Sequence, residues 1–240
     1  MGMVNSCCAS NCSHRKLYFY DNDKVKYMEA MIQYPTGEEK INIISHAIGF
    51  ILSVVASVLL VIHAVLDGDV WHIVSFSIFG ASLIILYAAS TVYHSTEKPE
   101  SRIRMKIIDH ASIYVLIAGT YTPFTLVTLH GTLGWVIFGA SWGLAFAGII
   151  LKLFFTGKYN LISTLMYLFM GWVIVFAIKS LINNLPSDGF LWVLAGGISY
   201  TIGAVMYSIK KLKFNHAIFH MFVLAGSFCH FIAVYFYVLP

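Results

Sequence analysis

A chain of 240 residues, 59% of them hydrophobic and only 11% charged, with a mean hydropathy of +0.79, is too apolar for a soluble domain, where about a quarter of residues carry charge. Its net charge of +4 is too small to argue for nucleic acid, and membrane topology accounts for the basic residues better. Several stretches of about 20 residues with few or no charges exclude a large soluble core and predict an all-α integral membrane protein.

Residues 1–42 read as a polar N-terminal extension without the apolar h-region of a signal peptide. Met1-Gly2-Met3-Val4-Asn5-Ser6 fits the N-myristoylation pattern, with Cys7 and Cys8 as neighbouring palmitoylation candidates in a eukaryotic host. Cys7, Cys8, Cys12 and His14 cluster, but their spacing matches no familiar zinc module. Val25, Met28 and Ile32 share one helical face, as in a short helix lying on a membrane.

Residues 43–240 predict a membrane domain of seven hydrophobic spans, at 43–66, 71–94, 107–128, 132–154, 160–183, 189–209 and 216–238. Each suffices to cross about 30 Å of hydrocarbon at about 1.5 Å per residue, and none alternates as a barrel strand would. Short loops predict antiparallel neighbours in one bundle. Pro123, late in the third span, is expected to bend it. Gly139, Gly143, Gly148, Gly196, Gly197 and Gly203 are expected at close helix contacts, and His230 in a hydrogen bond between helices.

Fourteen of the 15 basic residues fall in the N-terminal region or in the second, fourth and sixth loops; Lys179 is the remaining one. The other three loops hold Asp67, Asp69 and Asp188 without Lys or Arg. The N-terminus is therefore expected in the cytoplasm and the C-terminus on the opposite side.

This orientation places four suspicious helix ends on the cytoplasmic face. The second span ends with Ser90 and His94, the third starts near Asp109, the seventh starts with His216 and His220, and the first with Glu39, Asn42 and His46. Residues at i and i+4 share a helix face, so His216 and His220 can address one ion and Ser90 can point with His94. Three neutral imidazoles and an open position make a catalytic zinc arrangement, with iron, copper or nickel less favoured by ligand type. Asp109 is a candidate general base or an orienting group for a histidine, and Ser90 a candidate for steadying an oxyanion or the ligand shell. Glu39, Asn42 and His46 lie at i, i+3 and i+7 and are expected to form a supporting hydrogen-bonded network rather than a second metal site. His110 is treated as a polar contact, and His63, His72 and His130 as interfacial residues near the opposite surface.

Glu39-x-x-Asn42-x-x-x-His46, Ser90-x-x-x-His94, Asp109-His110 with Ile113-Tyr114, the run Ala118–Phe124 and His216-x-x-x-His220 together resemble the hemolysin III family. That family groups with the progestin and adiponectin receptors and, more distantly, the alkaline ceramidases. The resemblance spans roughly residues 39–238 and implies a seven-helix fold with zinc near the cytoplasmic face on His94, His216 and His220. It implies further that Asp109 and Ser90 belong to the same site. Three functions stay open at this level. One is a zinc-dependent hydrolase or sensor of membrane lipid, such as a ceramide-like amide, in the plasma or cytoplasmic membrane. The second is a pore-forming cytolysin, and the third a receptor with a structural zinc.

Overall fold

The computed structural model describes residues 34–155 and 160–239. The expectations for Gly2, Cys7, Cys8, Cys12, His14, Val25, Met28 and Ile32 lie outside the described residues, as does Lys158.

Seven spans long and apolar enough to cross a membrane make up the described chain, and it contains no strand. Only helices let such apolar segments satisfy every backbone N–H and C=O without water. The first four are α1 (Thr36–Asp67), α2 (Val70–Ser95), α3 (Pro99–Pro123, continued by a π-helical Phe124–Leu129) and α4 (Gly131–Phe155). The fifth is split into α5 (Asn160–Gly171), a 3-10 stretch at Val173–Ala177 and α6 (Ile178–Asn184); α7 (Ser187–Ser208) and α8 (Asn215–Tyr237) follow.

The first helix begins at Thr36 rather than at 43. Hydropathy ends where Glu38, Glu39 and Asn42 begin, yet Glu38 and Asn42 are buried against neighbouring helices, so the helix continues through polar residues that have partners. Pro123 has no N–H to give the ladder; the disturbance is taken up as a widened π-helical turn directly after it.

The break in the fifth span does not register in its hydropathy. The Tyr121 hydroxyl from α3 repairs it, lying 2.9 Å from the Met170 carbonyl and 2.7 Å from that of Gly171 and accepting the Ile174 N–H at 3.1 Å. A broken helix at membrane depth persists only where its freed backbone groups find such partners.

Exposed apolar side chains such as Ile44, Ile51, Phe154 and Phe176 cover the outer faces. So large an apolar exterior would aggregate in water and is instead the lipid-facing surface. Inside, Phe76, Phe79, Tyr87, Leu116, Phe124 and Val234 form one core. Glycine placement follows packing only in part. A Cβ at Gly196 would meet the His230 ring at 2.6 Å and one at Gly203 the Phe222 side chain at 2.8 Å, whereas Gly139 and Gly143 face open space, contrary to expectation. Helices α1–α3 pack tightly in sequence and α7 on α8, while the fifth span touches its neighbours lightly. That light contact leaves a cavity of about 180 Å³ lined by residues from all seven spans.

Candidate metal centre

His94 closes α2 and His216 and His220 open α8, so two helix ends bring three imidazoles together in the interior, each 3% exposed or less. One ligand atom from each lies within 4.8 Å of the others, an arrangement that could hold a metal ion. The Nε2 atoms of His216 and His94 are 3.2 Å apart, and those of His220 and His216 3.1 Å.

The surroundings decide what those nitrogens carry. His94 Nδ1 is 3.0 Å from Glu39 Oε2; a carboxylate only accepts, so the proton sits on Nδ1 and the neutral ring turns its Nε2 lone pair inward. Ser45 Oγ donates to the Asn42 carbonyl at 3.1 Å and so receives His220 Nδ1–H at 3.4 Å, which again leaves a lone pair on Nε2. Two lone pairs thus face His216 Nε2, which can supply at most one proton. A cation at the centre resolves the conflict. Nitrogens bound to one tetrahedral ion at about 2.0–2.1 Å would sit about 3.3 Å apart, close to the two spacings above, while the third pair lies within 4.8 Å. The residues present fit a metal.

Glu39 is also ion-paired with Arg102, which donates to the carbonyls of His94 at 3.3 Å and Thr96 at 2.9 Å. Asn42 Nδ2 donates to Glu39 Oε2 at 3.3 Å. His46 stands apart from this polar chain. It stacks on His220 with ring centroids 3.5 Å apart and lies edge-on to Tyr87, and neither of its ring nitrogens has a partner among the described residues. Glu39 and Asn42 are therefore joined by hydrogen bonds, while His46 is joined to the site by its ring face.

Asp109 and Ser90 are not among the clustered ligands; both line the cavity together with His46, His216 and His220. The Ser90 hydroxyl lies near the Asp109 carboxyl but completes no hydrogen bond of normal geometry. His110, treated from sequence as a polar contact, lines the same cavity with Nδ1 unpartnered. Below this polar end the lining turns to Leu116, Ile117, Phe124, Val193 and Phe190. Between Phe190 and Tyr207, α7 lines it over about 26 Å of helix at about 1.5 Å per residue.

Three contributors escape sequence reasoning. The buried Glu38 carboxylate accepts the backbone N–H groups of His216 at 3.0 Å and Ala217 at 3.4 Å. It caps α8 from another helix, because the residue before α8, Phe214, is left-handed and offers no side-chain cap. An acidic residue in a first helical turn is the available signal. Arg102 reads in the sequence as a topology marker, yet it is buried against Glu39. Tyr34 stacks on His216 at 4.6 Å; burial, with Tyr207 and other groups nearby, holds its phenol well above the usual value, so it stays protonated.

Residues 35–231 match the family described as haemolysin-III related. The chain belongs to the haemolysin III family. It is 50% identical over 203 residues to Hemolysin-3 of Bacillus cereus, covering 85% of this chain and 93% of that protein. It is 48% identical over 200 residues to the Hemolysin-3 homolog of Bacillus subtilis, covering 83% and 94%. Human monocyte to macrophage differentiation factor is 30% identical over 206 residues, covering 83% and 84%, which ties the family to the wider receptor superfamily.

Proposed function

We propose that this multi-pass membrane protein binds zinc through His94, His216 and His220 and hydrolyses, or senses, a membrane lipid of the ceramide-like amide class, in the plasma or cytoplasmic membrane. The observation that carries the reading is the convergence of imidazole lone pairs beside Asp109 and Ser90 at the polar end of a long apolar cavity. Zinc suits three imidazoles, and when bound it supplies Lewis acidity that polarises a carbonyl and makes a water proton removable near neutral pH.

The remaining roles belong to the chain. Glu39 and Ser45 hold the tautomers of His94 and His220. The apolar cavity seats the acyl chain with its amide carbonyl at the polar end, and Ser90 Oγ–H donates to the oxygen as charge develops there. Asp109 takes the proton of the attacking water and passes it to the amide nitrogen. The carbon–nitrogen bond then breaks, leaving a carboxylic acid and an amine.

Release of fatty acid from an N-acyl sphingoid base by purified protein tests this, with Asp109→Asn beside the wild type. Wild-type turnover lost in the variant is expected; full turnover in the variant would remove the hydrolytic mechanism. The names of the two Bacillus relatives support a second reading, a membrane-damaging protein. Dye release from liposomes that is equal for wild type and His220→Ala would favour it.

A further inference from the structure

His230 lies ten residues after His220 on α8, which sets it about 15 Å further into the membrane at about 1.5 Å per residue. It is 6% exposed and lines the cavity, as do the apolar Leu116, Ile117, Val193 and Leu194. The sequence predicts a hydrogen bond between helices at this residue. Instead its ring stacks on Tyr200, with centroids 5.5 Å apart, and its edge packs on Gly196 of α7. Its Nδ1 is buried without a partner, and no hydrogen bond reaches either ring nitrogen from the described residues.

The neighbouring polar groups are already committed. Tyr87 donates to Ser227 Oγ at 2.8 Å, and the Tyr200 hydroxyl is bonded to the same oxygen at 3.0 Å. A neutral imidazole has one donor and one acceptor, and leaving both unmet at membrane depth is costly. Because His230 lines the cavity, a partner for one of its two ring nitrogens can come from there.

We propose that the cavity selects a lipid chain bearing a hydroxyl part-way along its length, which His230 recognises about 15 Å from the polar end. This rests on the reading of the cavity as a lipid-chain site and goes beyond it. A hydroxyl suits the position because it can donate to or accept from the one ring nitrogen it meets, whichever tautomer the imidazole adopts. A plain methylene chain at this depth leaves the ring unsatisfied, and a buried water is the competing occupant.

The test is binding rather than turnover: displacement of a fluorescent fatty acid from purified protein by stearate and by a positional series of monohydroxystearates. Wild type is expected to bind the best mid-chain hydroxystearate about tenfold more tightly than stearate, with a maximum at one position. His230→Leu should lose the preference while still binding stearate. His230→Gln, which keeps a donor and an acceptor, should retain most of it and shows that loss in the leucine variant is not misfolding. Equal affinity of wild type for stearate and every hydroxystearate would overturn the inference, assign the site to water and leave the lipid-chain reading standing. Failure to bind any of these acids would overturn both.

Discussion

The two ends of the bundle carry the same residue types and use them differently. At the end opposite the lysines, His63 and Asp67 pair at i, i+4 at 3.8 Å and Asp69 and His72 at i, i+3 at 2.8 Å, with the aspartates mostly exposed. At the Lys/Arg-rich end, expected from the charge rule to be cytoplasmic, His94, Glu39, His216 and His220 come from three helices and are largely buried. Local acid–histidine pairs are helix caps and surface contacts; imidazoles brought together by tertiary packing, with ligand atoms within 4.8 Å of one another, form a group that could hold a metal ion.

That contrast can be broken at either end. The largest effect is expected at Asp109. If it is the proton acceptor, Asp109→Asn should lower lipid-amide turnover by about 10²-fold or more while metal content stays at the wild-type level. Unchanged turnover would place the carboxylate among merely structural groups. Next comes Glu39, which fixes the His94 tautomer. Glu39→Gln should weaken metal retention by about 10- to 100-fold in a chelator competition, and an unaltered affinity would show that the ring needs no orienting carboxylate.

Tyr121→Phe removes the hydroxyl that serves Met170, Gly171 and Ile174, and should cost about 1–3 kcal/mol in thermal unfolding in detergent without loss of metal. The smallest effect belongs to the opposite end. Hydrogen bonds from His72 and Trp71 hold the Asp69 carboxyl below its usual range. Its contribution is therefore present above the ordinary aspartate pKa and lost as pH falls through the depressed one. Asp69→Ala should raise amide exchange at the start of α2 alone, and a change in metal binding there would blur the contrast between the ends.

Much of the fold and of the site is legible in the sequence, for identifiable reasons. The seven spans follow from hydropathy, and the Lys/Arg bias by itself gathers His94, Asp109, His216 and the start of α1 at one face. What stays hidden depends on distances between helices. Glu38 differs from Glu39 by one position, yet one caps α8 and the other orients His94, and helix periodicity cannot say which neighbour each meets. The break after Gly171 lies inside an unbroken apolar run, and its repair by Tyr121 comes from a residue 50 positions away. The cavity arises from light packing of the fifth span, which no local pattern encodes.

On the proposed reading, three inward-facing ring nitrogens with too few protons among them share a cation. Metal content by mass spectrometry on protein purified without chelators tests it most directly, for the wild type beside the paired His216→Ala, His220→Ala variant. About one zinc per wild-type chain, lost from the folded variant, is the predicted result. Wild-type protein without stoichiometric metal would contradict the account and reduce the histidines to helix-packing groups.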